Sequence, residues 1–256
     1  MNKPPAFRDD PAVTVSVCMA TYNGARFLRE QLDSVLSQLG EGDELVVSDD
    51  GSTDATLEII SGLADPRVRQ VGDGRRRGYV GNFERALQSA RGELVFLCDQ
   101  DDIWAPEKLR RMRAAFAARP DVAMAHHERR LIDAEGSDLG PGPRLGDGVA
   151  AGLGFVLREG VKARMWGCAL AMRRRALDRM LPFPRSVYAH DHWATIVGGL
   201  AGGILLVPEP LIFHRLHGAN VTPKNGLPWS ARVVVRLRYG WMVCVALARG
   251  LRKGGK

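Results

Sequence analysis

Apolar runs and apolar stripes alternate along the first half of the chain. VTVSVCMA (residues 13–20) is rich in β-branched residues and breaks off at the turn residues TYNG, so it predicts a buried strand. Phe27, Leu28, Leu32, Val35, Leu36 and Leu39 then recur at helical spacing until Gly40 stops the pattern. The alternation repeats. ELVVSDDGSTD predicts a strand whose Asp/Ser/Thr end caps a helix over ATLEIISGLA. VRQV is a short third strand, and NFERALQSARG is a helix capped by Asn82 and stopped by Gly92. ELVFLCD (93–99) is apolar on both faces, as a strand inside a covered sheet must be. Pro106 opens another helix, with Leu109, Met112 and Phe116 along one stripe.

Strands alternating with helices predict an α/β fold: a Rossmann-like, mostly parallel sheet with helices on both faces. Ligands of such sheets bind beyond the carboxyl ends of the strands. TYNG, SDDGSTD and DQDD stand at those ends, so three polar loops are expected to meet on one edge. From residue 134 the pattern changes. DAEGSDLGPGPRLGDGVAAG reads as a mobile loop or linker. Beyond it come apolar GCALAMRR, a helix over RRALDRML, then PFPRSVYAHDHW, apolar GGILLVPEPLIF and HRLHGANVT.

Composition narrows this little. At 256 residues, 45% hydrophobic and 25% charged, the chain suits one large domain or two small ones. A net charge of +7 favours anionic partners such as nucleotides, phosphates or lipid surfaces, or is simply spread over the surface; no nucleic-acid partner is expected. Cys18, Cys98, Cys168 and Cys244 have no metal-binding spacing and suit a reducing compartment. MNKPPAFRDDP lacks an apolar leader core, and no run of 18 apolar residues occurs. The expected location is cytoplasmic, with peripheral membrane contact open. From Trp229 onward Val, Leu and Trp mix with Arg232, Arg236, Arg238, Arg249, Arg252 and Lys253, a pattern that fits an interfacial helix or one packed on the domain.

The polar loops carry the candidate chemistry. In ELVFLCDQDDIW, Asp99, Asp101 and Asp102 crowd within four positions, and a helix cap or a cation would relieve their repulsion. At a strand end such acids suit a hard divalent ion, held by one or two carboxylates with substrate phosphates. Asp102 reads as a cap or a structural acceptor. Asp49, Asp50, Ser52, Thr53 and Asp54 are ordinary turn chemistry. Their shared edge adds a second reading, an aspartate on a nucleobase edge near a stacking Tyr22. In AHDHW, Asp191 lies between two histidines and fits a general base, a helix cap or a His–Asp pair. His214, Arg215 and His217 either hold phosphates or satisfy carbonyls. GDGRRRGYVGN fits neither a dinucleotide nor a Walker loop, so Arg75, Arg76 and Arg77 read as a solvated loop within reach of a nucleotide.

ATYNG, SDDGSTD and FLCDQDDIW, in this order and at these intervals, resemble the family 2 glycosyltransferases with a GT-A fold. LPFPRSVYAHDHW followed by LIFHRLHGANVT is similar to their rhamnosyltransferase-like subgroup, which acts in polysaccharide and O-antigen assembly. The resemblance covers about residues 13 to 222. It implies an inverting transfer from a UDP-, dTDP- or GDP-linked sugar to a hydroxyl of a glycan or lipid-linked acceptor. It places Thr21, Tyr22 and Asn23 along the nucleoside, Asp50 on the base and Asp99 near the ribose. Asp101 would hold Mg2+ or Mn2+, Asp191 would be the catalytic base, and His217 and Asn220 would flank or close over the diphosphate. Residues 1–228 would form the GT-A domain, with 13–133 binding the nucleotide sugar and 134–228 the acceptor, before a basic amphipathic tail over 229–256. Two alternatives stand beside it. A nucleotidyltransferase expects a Gly-rich basic loop where TYNG stands, and a noncatalytic sugar-nucleotide-binding module would not need Asp191.

Overall fold

A computed structural model describes residues 13–161, 164–218 and 229–253. The chain runs β1 (Val15–Thr21), α1 (Ala25–Leu36), β2 (Glu44–Asp49), α2 (Thr56–Ser61), β3 (Val68–Val71), α3 (Gly78–Ser89) and β4 (Leu94–Asp99). It continues through β5 (Ile103–Trp104), α4 (Lys108–Ala118), β6 (Met124–Ile132), β7 (Asp138–Pro141), β8 (Gly148–Ala150) and α5 (Gly152–Val161). β9 (Leu170–Arg173), α6 (Arg174–Met180), α7 (His190–Leu200), β10 (Ile204–Arg215) and α8 (Trp229–Lys253) complete it. All the strands join one sheet in the order β3-β2-β1-β4-β9-β6-β10-β5, with β7 paired to β6 and β8 to β10. The β3-β2-β1-β4 half is parallel, as expected, and β9 enters antiparallel between β4 and β6.

Side chains alternate across this sheet as the period of two requires. Val15, Val17 and Met19 of β1, with Leu94, Phe96 and Cys98 of β4, face a core shared with Leu28, Leu32 and Val35 of α1 and the Leu109, Met112, Phe116 stripe of α4. Cys18, Val95 and Leu97 face the other core, against Phe83 and Leu87 of α3, Val156 of α5, Trp193 of α7 and Met242 of α8. Both faces are dry, which is why ELVFLCD is apolar at successive positions.

Three local expectations are corrected. Asn82 does not cap α3, which begins four residues earlier at Gly78; the Asn82 amide is buried and donates to the Thr21 carbonyl at 3.0 Å. Gly92 does not terminate that helix either. It packs against β1, where a Cβ would lie 2.5 Å from the Ser16 nitrogen and 2.6 Å from the Val15 carbonyl carbon. Backbone on both sides cannot yield, so Gly92→Ala is expected to destabilise the fold by roughly 1–3 kcal/mol, as overpacking does. A urea midpoint equal to that of the parent would refute this. Finally, residues 133–152 are not a free linker: β7 and β8 lie within them and extend the sheet.

Candidate active site

The parallel register brings the three polar loops together. Thr21 is paired with Asp49 and Ala20 with Asp99, so β1, β2 and β4 end level with one another. Cross-loop hydrogen bonds then fix the edge. The Gln100 amide bonds Tyr22 in both directions, accepting its N–H at 2.8 Å and donating to its carbonyl at 3.0 Å. Asn23 takes a left-handed conformation (φ 47°), which its short polar side chain tolerates, and accepts the Thr53 N–H at 2.8 Å. α1 has no cap of its own; Thr56 and Asp54 accept the N–H groups of Gly24 and Ala25. Asp54, the last residue of SDDGSTD, thus caps a neighbouring helix.

Several expected site residues already have structural partners. Thr21 donates to Asp49 at 2.7 Å, and Asp49 also accepts from Gly51, Ser52 and the Ser52 hydroxyl. Asp50 is buried and accepts the backbone N–H groups of Arg77 and Gly78. It thereby ties the GDGRRRGYVGN loop to the edge. Arg75 and Arg77 pair with Asp73 in solvent, while the Arg76 guanidinium lies 4.3 Å from the Tyr22 ring centroid. Tyr22 and Arg76 together make a flat cationic surface at the end of β1.

The acids of DQDD separate into distinct environments. Burial, then the charges of Asp102 and Asp101, push the Asp99 carboxyl well above the usual range. Burial and Asp102 raise Asp101 as well, although His217 Nε2 lies 2.9 Å from its carboxylate and opposes the shift. Asp102 is fully buried, which by itself would raise it. The charge and hydrogen bond of His214, together with the Arg215 N–H, outweigh that and hold it below the usual range. Asp102 is thus a structural acceptor and not a helix cap, since α4 starts beyond Glu107.

Support for this cluster comes from Lys108, which the sequence pattern did not single out, and from His214 and Arg215, which it did. Lys108 is buried against Trp104, donates to the Cys168 carbonyl at 3.0 Å, and is pushed down to about 8 by burial. The buried Arg215 reaches the Asp101 carbonyl and the Glu30 carboxylate. β10 delivers His214 and Arg215 here after register shifts on either side of Pro210, a strand irregularity that re-aims side chains. Asp102, Cys168 and His214 also place three ligand atoms within 4.8 Å of one another. Burial, then Asp102 and Asp99, keep the Cys168 thiol pKa well above its usual value, and His214 is already bonded to Asp102. The trio suits bracing better than metal binding. Asp99 and Asp101 fit a divalent cation, because positive charge there relieves the repulsion that raises both.

Asp191 reaches this edge from the second half of the chain. It sits in the first turn of α7, and Oδ1 accepts the His192 N–H at 2.7 Å. Its charge is felt at Asp99, Tyr79 and Tyr188, and helps to raise all three. Among the described residues neither neighbouring imidazole ring hydrogen-bonds its carboxylate. His190 is buried and stacked on Phe83 with ring centroids 4.0 Å apart, and His192 contacts the Tyr188 hydroxyl at 2.6 Å. Stacking on α3 and the Tyr79 hydroxyl bond to the Tyr188 carbonyl anchor the start of α7 beside the loop edge. Asn220 lies outside the described residues.

Residues 16–181 match the family described as glycosyl transferase family 2, well over half the chain. The chain belongs to glycosyltransferase family 2. An uncharacterized glycosyltransferase of Nostoc sp. is 30% identical over 220 residues, 80% of this chain and 66% of that protein. The Escherichia coli enzyme WfaP, a UDP-Glc:α-D-GlcNAc-diphosphoundecaprenol β-1,3-glucosyltransferase, is 33% identical over 95 residues, 37% of this chain and 38% of that one. The chain therefore spans just under two thirds of the first relative and less of the second. The mannosyltransferase PcManGT of Pyrobaculum calidifontis, solved with GDP-Man and Mn2+, superposes with a TM-score of 0.60 at 22% identity, covering 99% of this chain and 79% of that one. The fold of this family 2 member is GT-A.

Proposed function

We propose that this glycosyltransferase moves a sugar from a nucleoside diphosphate to a hydroxyl of a lipid-linked or polysaccharide acceptor, with inversion at the anomeric carbon. One observation carries the reading: the first turn of α7, which holds Asp191, packs on α3 beside the strand-end loops, within electrostatic reach of Asp99. The chemistry needs that pairing. An inverting displacement uses one carboxylate to take the proton of the attacking hydroxyl, and positive charge to neutralise the departing diphosphate.

In this reading Asp191 accepts the acceptor's proton as its oxygen bonds the anomeric carbon and the sugar–phosphate bond breaks on the opposite face. Asp101 would hold Mg2+ or Mn2+, with Asp99 toward the ribose and His217 and Asn220 toward the diphosphate. The ion would neutralise charge on the leaving diphosphate. Tyr22 and Arg76 lie along the nucleoside, with Thr21, Asn23 and Asp50 shaping that surface. A rhamnosyl donor is included on the strength of LPFPRSVYAHDHW, and a lipid-linked acceptor is supported by WfaP's. Residues 1–228 act as the transferase domain, at the cytoplasmic face of a membrane.

A panel of UDP-, dTDP- and GDP-sugars, with and without Mn2+, tests the reading by thermal shift. At least one donor is expected to raise the melting temperature only with the ion present, as ligand linkage requires. No metal-dependent stabilisation by any nucleotide would sink it.

A further inference from the structure

Two adjacent helices hold apolar side chains in solvent. On α8, Leu237 is 70% and Trp241 62% exposed; with Val234 and Cys244 they fall on one face, opposite the buried Tyr239, Met242 and Val243. On α5, Leu153, Leu157 and Val161 recur four residues apart and are exposed at 44, 52 and 68%. The helices touch: the Tyr239 hydroxyl donates to the Val156 carbonyl at 3.0 Å, and its ring occupies the space a Gly160 Cβ would need. Leu157 and Val161 bracket Gly160, so the α5 stripe lies beside α8.

The charge along α8 has one sign. Residues 229–253 contain no Asp or Glu, and Arg236 and Arg238 are exposed on either side of the α8 stripe. On α5, Arg158 is exposed, whereas Glu159 is buried in an ion pair with Arg164. No described helix is long and apolar enough to cross a membrane. An apolar stripe rimmed by arginine matches acyl chains beneath anionic headgroups. A second copy of this chain would set like charges against each other.

We infer that the α5–α8 face docks on an anionic membrane surface. This rests on the lipid-linked acceptor reading above and adds the surface that would meet the membrane. Docking there is coupled to the chemistry. The Tyr239 ring lies 5.6 Å from that of His192, and Arg238 lies 5.0 Å from the Tyr188 ring, so α8 braces the turn of α7 that carries Asp191.

Flotation of the full chain with phosphatidylethanolamine/phosphatidylglycerol vesicles, against phosphatidylcholine vesicles, tests the inference. The parent is expected to float with the anionic vesicles and to lose binding as salt is raised. Leu237→Glu with Trp241→Glu is expected to cut binding at least about tenfold, since both side chains are withdrawn from the interface. Arg236→Glu, at an exposed position, should weaken it too. Absent parent binding, or equal binding by all three proteins, would overturn the inference. So would a parent dimer that these substitutions dissociate without any vesicle binding. Donor thermal shifts on the same preparations keep the readings apart: vesicle failure with intact donor binding strikes only the docking face, and lost donor binding in every protein strikes the transferase reading.

Discussion

Asp191→Ala is expected to slow glycosyl transfer by roughly a hundredfold to ten-thousandfold, the range that positioned general bases contribute. Donor affinity should be essentially unchanged. The asymmetry follows from position. Asp191 reaches the edge from the first turn of α7, whereas Tyr22, Arg76 and the acids of DQDD belong to the strand-end loops. Its Oδ1 is held by the His192 N–H, and Oδ2 makes no hydrogen bond among the described residues, which leaves an oxygen for an incoming hydroxyl. The histidines supply the control. His192 is committed to Tyr188 and His190 to Phe83, so His192→Ala should cost far less than Asp191→Ala. Matching losses in both variants would point to a His–Asp pair and remove Asp191 as an independent base. Retained transfer in Asp191→Ala would leave only a sugar-nucleotide-binding module. Single-turnover rates beside donor titrations separate these outcomes.

The parts of the fold that were legible in the sequence are those where one physical rule acts locally. β-branched content ending at TYNG predicted β1, and Pro106 followed by the Leu109, Met112 and Phe116 stripe predicted α4; both lie in the core on the faces that the fold shows. The convergence of TYNG, SDDGSTD and DQDD was legible because a parallel sheet puts all its carboxyl ends on one edge. What escaped depends on partners distant in sequence. Asn82 has the residue type of a cap, but its amide serves a carbonyl 61 positions away. Lys108 carries no signal in the sequence pattern, and only the fold reveals that it is buried against Trp104 and bonded to the Cys168 carbonyl. The Gly/Pro-rich stretch from 134 lacks apolar alternation because β7 and β8 sit at the surface of the sheet, where pairing needs backbone alone.

Asp101→Asn and Asp102→Asn, one position apart, should fail in opposite ways. Asp101 is half-buried at the edge, and its carboxyl is raised by burial and by Asp102, the condition that a divalent ion would relieve. Removing its charge should abolish the Mn2+-dependent part of donor binding and leave the urea midpoint near that of the parent. Asp102 is fully buried, where it accepts from His214 Nδ1 and the Arg215 N–H, each at 2.9 Å. Asparagine keeps one acceptor oxygen but loses the charge opposite His214. The expected cost is about 1–3 kcal/mol, less than the roughly 3–5 kcal/mol of a fully broken buried pair. Metal-dependent donor binding per folded molecule should survive, because Asp102 Oδ1 is already spent on His214 and the Arg215 N–H of β10. The reverse pattern, with stability intact and metal response lost in Asp102→Asn, would move the ion to the Asp102, Cys168 and His214 cluster. The acids at the end of β4 would then act as one metal site reaching below the edge, and the division of labour between Asp101 and Asp102 would be wrong.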